Sequence, residues 1–76
     1  MTEKTVESMF GANAGTVWEA LKEKGPCTIA DLARTTSLGR EEVHGALGWL
    51  GRENKISAKM GEGLRGRRAT VFSLQP

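Results

Sequence analysis

The sequence predicts an α+β fold in which three helices form a small core and a C-terminal β-hairpin follows them. Apolar residues recur at the helical spacing of three and four positions in segments that end near residues 24 and 54. The spacing then changes to strict alternation in the segments 56–60 and 69–74, on either side of a glycine-rich stretch. A chain of 76 residues supports one domain at most, and its core is marginal.

The first helix is expected to begin between Gly11 and Asn13, with Asn13 able to cap it. Residues 1–9 are assigned to a flexible N-terminus, so the folded domain is expected to span residues 10–76. The dipeptide Gly25–Pro26 predicts the end of this helix, because glycine suits the left-handed position there and proline cannot continue it. One apolar face carries Phe10, Ala14, Val17, Trp18 and Leu21, with Trp18 interpreted as a core residue.

The second helix is predicted to start after Thr28, with Asp31 completing a variant of the capping box. The run Thr35–Ser37 should end it, because these side chains compete locally for backbone hydrogen bonds. A short extended piece at Cys27 precedes it. Cys27 is the lone cysteine, which excludes an internal disulfide, and it is interpreted as a small structural residue.

The third helix is predicted over residues 40–54, with Gly39 at its N-cap and two glutamates in its first turn. Its core-facing stripe is expected to be Val43, Ala46, Leu47 and Leu50. Two strands follow, at residues 56–60 and 69–74. Residues 61–68 read as a mobile loop between them.

Charge is distributed unevenly along a chain whose net charge is +2. From residue 52 onward there are six basic and two acidic residues, a net charge of +4, whereas residues 1–51 carry −2. A basic C-terminal third indicates contact with a polyanion. The alternative is a solvated hairpin whose charges only keep an exposed strand edge soluble.

This order of elements resembles a winged helix-turn-helix domain, with residues 28–37 as the first helix of the motif, residues 40–54 as the recognition helix and the hairpin as the wing. The strings NAGTVWEAL at residues 13–21 and ALGWLGRENKI at residues 46–56 are similar to a family of small, free-standing prokaryotic winged-helix proteins of unknown function. The resemblance implies the fold, DNA binding and a homodimer, although function does not follow from fold alone.

The candidate DNA contacts are the basic residues of the third helix and the hairpin. Arginines in a glycine-containing loop can follow a phosphate backbone or enter a minor groove, which gives affinity with little base specificity. His44 is interpreted as solvent-facing or as a phosphate or base contact. The candidate DNA-binding residues are Arg40, His44, Arg52, Lys55, Lys59, Arg65, Arg67 and Arg68.

The outer face of the third helix is poorly equipped to read bases, because its centre carries Glu41, Gly45, Gly48 and Arg52. Glycines permit close approach of another backbone, so Gly45, Gly48 and Trp49 form a candidate homodimer or partner interface on a scaffold that does not bind DNA. Trp49 has two other interpretations, as a half-buried residue at the junction with the wing or as a stacking platform for nucleic acid.

The sequence gives little support for an enzyme, a metal-binding protein or a nucleotide-binding protein. No nucleophile, base and orienting group can be assembled for an enzyme, and no cluster of metal ligands is evident. The loop GEGLRGRR lacks the lysine and serine that end a phosphate-binding loop. We therefore expect no cofactor, no metal and no small-molecule ligand. Without a signal peptide or a long apolar run, the sequence predicts a cytoplasmic protein that does not contact membranes.

Overall fold

The computed structural model describes residues 5–62 and 68–75. Three helices are followed by one two-stranded antiparallel sheet. The elements are α1 (Val6–Lys24), α2 (Ile29–Thr36), α3 (Arg40–Arg52), β1 (Ile56–Glu62) and β2 (Arg68–Leu74). The predicted fold class, three helices with a C-terminal hairpin, is confirmed.

Helix α1 begins earlier than the sequence predicts. Thr5 is its N-cap, and the Thr5 hydroxyl accepts a hydrogen bond from the Ser8 amide at 3.0 Å. The predicted start between Gly11 and Asn13 is therefore wrong, and residues 6–9, which we assigned to the N-terminal segment, belong to the helix. At the other end Gly25 has a φ of +81°, the positive value predicted for it.

Helix α2 is held at its start by the predicted capping box. The Thr28 hydroxyl accepts from the Asp31 amide, and the Asp31 carboxylate accepts from the Thr28 amide, each at 3.1 Å. The hydrogen bond from the Thr28 amide lowers the pKa of Asp31, and partial burial of the carboxylate opposes this effect. The Thr28 hydroxyl and Arg34 lower the pKa further, and the Arg34 guanidinium donates a hydrogen bond to Asp31 at 2.9 Å. The helix ends at Thr36, and Ser37 adopts a left-handed conformation with a φ of 63°.

Removing this cap should destabilise the domain measurably. Thr28→Ala is expected to lower the free energy of unfolding by about 0.5–2 kcal/mol at pH 7, because it leaves the Asp31 amide without its acceptor. The matched control is Thr16→Ala in the middle of α1, where the exposed hydroxyl bonds only to the Ala12 carbonyl and alanine is the better helix former. Urea unfolding of both variants measures the difference, and equal costs would contradict the role of Thr28.

The lowered pKa of Asp31 also gives the stability a pH dependence. Its contribution is present above the unfolded pKa of about 3.9 and is lost as the pH falls through the lower pKa of the folded state. Urea unfolding of Asp31→Asn between pH 7 and pH 2 should therefore show a smaller loss of stability on acidification than the wild type shows. A parallel loss in both proteins would contradict this assignment.

The core lies where the three helices meet the base of the hairpin. The predicted stripe of α3 is buried, and Leu32, Val17 and Val43 are fully enclosed. Trp18 differs from the prediction, because it is half-buried at the edge of the core rather than inside it. Among the described residues the buried core consists of Ala14, Val17, Ala20, Leu21, Cys27, Leu32, Val43, Ala46, Leu47, Leu50 and Ile56.

Both strands are longer than predicted, because β1 continues to Glu62 and β2 begins at Arg68. The register pairs Ile56 with Leu74 at the base and Glu62 with Arg68 at the far end. The short extended piece predicted before α2 is a single bridge, in which Cys27 and Phe72 exchange two backbone hydrogen bonds of 2.9 and 2.8 Å. Cys27 is buried, and burial raises the pKa of its thiol. This bridge joins the hairpin to the start of α2.

Candidate nucleic-acid interface

The outer face of α3 carries exposed residues over about a third of its circumference. Because Val43, Leu47 and Leu50 point into the core, the opposite side presents Glu41, Gly48 and Arg52 to solvent, with Arg40 and His44 along one flank. All five are exposed. This is the face that enters the major groove in winged-helix proteins that bind DNA.

Gly45 is not part of that open surface. A Cβ atom built on Gly45 would lie 3.2 Å from the ring of Phe10, so this glycine allows α1 and α3 to pack closely. Gly48 has no atom within 4 Å of such a Cβ. Trp49 is half-buried against the core on the side of α1. The three residues that the sequence grouped as one partner interface thus face in different directions.

The hairpin places its basic residues on two faces. Lys59 pairs with Val71, on the opposite side of the sheet from Ile56 and the core. Arg68 is exposed in β2 itself rather than in the loop, so the predicted boundary at residue 68 is wrong. Alternation along β2 places Arg68 on the same side as Phe72. The other two arginines of the predicted cluster, Arg65 and Arg67, lie outside the described residues.

Lys55 lies apart from the other candidates. It follows the turn at the end of α3, where Asn54 adopts a left-handed conformation with a φ of 59°. Its ammonium is 3.8 Å from the carboxylate of Glu53, and it lines a groove between α1 and α3 rather than the outer face. Lys55 thus lies beside the groove, and its contact with DNA stays a prediction from the sequence.

Three of the candidate basic side chains on α3 and the hairpin have no charge partner among the residues that the structure describes. Within this part of the chain the ion pairs are Arg34 with Asp31 and Lys55 with Glu53. Arg40, Arg52 and Lys59 are exposed and have no carboxylate within 4 Å in the described ranges, and Arg68 is exposed in β2. Their charges are therefore available to an external anion.

Two negative findings concern the same described ranges. Residues 5–62 and 68–75 hold no group of three or more His, Cys, Asp or Glu side chains placed to bind a metal. No helix within these ranges has the length and apolar character needed to span a bilayer.

One feature that the sequence does not predict is the groove between α1 and α3. Trp18 and Trp49 line it together with Gly11 and Gly15. The sequence places Trp18 in the core and Trp49 at a partner surface, because no local pattern joins residues 31 positions apart. The signal that the sequence offers is the presence of Gly11 and Gly15 inside a helix, where glycine lowers stability.

The comparisons with known proteins agree with the observed fold. BT2368 from Bacteroides thetaiotaomicron is 36% identical over 92% of this chain and 79% of its own, with a TM-score of 0.78. NMB1585, a MarR family regulator from Neisseria meningitidis, is 27% identical over 83% of this chain, with a TM-score of 0.67. The match spans only 43% of that regulator.

A third structure shares the fold alone. The Zα domain of PKZ from Carassius auratus, solved in complex with Z-DNA, is 18% identical over 90% of this chain and all of its own, with a TM-score of 0.71. No curated protein matches the chain. The family described as "Winged helix-turn-helix domain (DUF2582)" matches residues 1–66, most of the sequence. The chain therefore belongs to this winged helix-turn-helix family.

Proposed function

We propose that the chain is a cytoplasmic DNA-binding protein of the transcription-regulator type, which holds the phosphate backbone through α3 and the hairpin and reads few bases. The observation that carries this proposal is a set of exposed cationic side chains, of which Arg40, Arg52 and Lys59 have no charge partner among the described residues and Arg68 lies exposed in β2. Their positions on α3 and the hairpin are those that contact DNA in winged-helix proteins. The MarR family regulator and the Zα domain support the same class of function.

Low base specificity follows from what the outer face of α3 lacks. Direct readout requires side chains such as Arg, Asn or Gln aimed at base edges. Here Gly48 has no side chain, and Glu41 is repelled by phosphates while Arg52 attracts them. The expected interaction is therefore mainly electrostatic, and duplexes of different sequence should bind with similar affinity.

A salt titration of binding to a random duplex tests this function. If about four to five phosphates are neutralised, log K should fall against log salt with a slope near −4. Arg40→Ala with Arg52→Ala should flatten the slope by about one unit, the part that remains for α3 if the arginines at positions 65, 67 and 68 supply about three. Lys22→Ala with Lys24→Ala removes the same charge from the end of α1 and should leave the slope unchanged. No duplex binding at about 50 mM salt would refute the proposal.

The second candidate function is a homodimerisation or protein-interaction module. It is favoured by Gly48, an exposed glycine with open space above it in the middle of α3. Such a position costs helix stability, about 1 kcal/mol relative to alanine, and would allow another backbone to approach closely. Sedimentation of the wild type and of Gly48→Leu measures the oligomeric state and tests this candidate. A dimer that Gly48→Leu dissociates supports this candidate, and a monomer in both cases rejects self-association through this face.

A further inference from the structure

A groove of about 320 Å³ lies between α1 and α3, away from the outer face of α3. Its aromatic sides are Trp18 and Trp49, which are both half-buried. The small residues Gly11, Ala14 and Gly15 line it on the α1 side. The groove thus combines two large aromatic surfaces with a floor that has almost no side chains.

The two glycines keep this groove open without any role within the described part of the chain. Both lie inside α1 with a φ outside the positive range, so the backbone does not require glycine. A Cβ on Gly11 or Gly15 would meet no atom within 4 Å. Each glycine costs the helix about 1 kcal/mol relative to alanine. The space above them is therefore maintained at the expense of helix stability.

The charges around the groove favour a cationic occupant. Lys55 is placed next to Glu53, at 3.8 Å, whereas Glu19 has no basic group within 4 Å among the described residues. The ammonium of Lys22 lies 5.1 Å from the centre of the Trp18 ring. Lys22 is not one of the residues that line the groove, so this contact shows only that the Trp18 ring can hold a cation.

We propose that this groove binds a small planar aromatic cation, a fused two-ring heteroaromatic with a positively charged ring nitrogen. Its rings would stack on Trp18 and Trp49 over the glycines, with Glu19 compensating the charge. The volume is at the lower end of the range for small-molecule sites, roughly 300–1,000 Å³, which suits two fused rings. The proposal is independent of DNA binding.

The probe for this site is 1-methylquinolinium, compared with neutral quinoline at pH 8 and anionic 1-naphthoate. Trp18 and Trp49 are the two tryptophans of the chain, so their indole N–H signals in a ¹⁵N-correlated NMR spectrum report on the groove alone. We expect both signals to move with the cation, which should bind about five- to tenfold more tightly than quinoline. Equal or tighter binding of 1-naphthoate would overturn the proposal.

Two variants separate binding from folding. Gly15→Leu fills the groove and should abolish the shifts, while thermal unfolding shows the same or higher stability because leucine is a better helix former than glycine. Gly48→Leu makes the same change on the outer face of α3 and should retain them. Glu19→Gln should weaken the cation several-fold and leave quinoline unaffected.

Three results would count against the site. The first is no movement of either indole signal at about 10 mM probe, a concentration that detects even weak binding. The second is unchanged binding in Gly15→Leu. The third is a dimer, seen in sedimentation of the wild type, that Gly15→Leu dissociates, since the occupant would then be a second copy of this chain.

Discussion

Replacing Arg65, Arg67 and Arg68 by alanine is expected to remove most of the salt dependence of DNA binding. Each arginine that neutralises a phosphate releases condensed counterions, so the loss of three such contacts should flatten the slope of log K against log salt from near −4 to near −1. Between 50 and 200 mM salt, affinity would then fall about fourfold in the variant, compared with about 250-fold in the wild type. Fluorescence anisotropy with a labelled random duplex measures both slopes.

Two further proteins make this result specific to the hairpin. The triple substitution of the same arginines by lysine keeps the charge and should keep the slope, because counterion release depends on charge rather than on the guanidinium fork. The Lys22→Ala, Lys24→Ala protein corrects for the general effect of lowering net charge. A triple alanine variant with the wild-type slope would exclude the hairpin as the phosphate-binding element. Binding would then have to be assigned to α3 alone.

Local patterns predicted the helices well because the interactions that define them are local. The capping box at Thr28 joins atoms three residues apart, and the stripe from Val43 to Leu50 follows from the helical period alone. The alternation in the last 20 residues likewise predicted which residues share a face of the hairpin. The register confirms that grouping, since Ala58 pairs with Phe72 and Met60 with Thr70.

The errors at the element boundaries have a physical cause as well. Gly11 and Gly15 lower the intrinsic helix propensity, and for that reason the predicted start of α1 was placed too late. In the structure α1 packs along α3, with Phe10 against Gly45, and this tertiary contact stabilises a helix that propensity alone disfavours. The strands extend into the segment predicted as loop because Gly61 pairs with Ala69 and Glu62 with Arg68 across the hairpin, pairings between residues distant in sequence.

The candidate site was predictable in composition but not in arrangement. The basic residues could be named from the sequence, because charge is visible there. The surface on which each candidate residue lies could not be predicted, because it depends on packing between distant parts of the chain. Lys55 lies next to Glu53 and the groove, and Gly45 lies against Phe10. The groove is lined by Trp18 from α1 and Trp49 from α3, an arrangement that the helical period of either segment cannot predict.

Leu32→Ala is expected to be the most destabilising single substitution in the part of the core that α2 supplies. Leu32 is fully buried, and truncating such a leucine costs about 2–5 kcal/mol. A domain of this size has a core that rarely supplies more than about 3–5 kcal/mol of net stability. The variant should therefore be largely unfolded at 37 °C, and circular dichroism during heating should show a midpoint lower by at least about 8 °C.

The matched control is Leu38→Ala, the same chemical change at a half-buried position that only borders the core. It should cost clearly less, because less apolar surface returns to water. The comparison also bears on function, since α2 contacts α1, α3 and β2 and so fixes the platform from which α3 and the hairpin project. If Leu32→Ala lowers the free energy of unfolding no more than Leu38→Ala does, α2 is not the element that holds α3 and the hairpin in place. The DNA proposal depends on that placement and would lose this support.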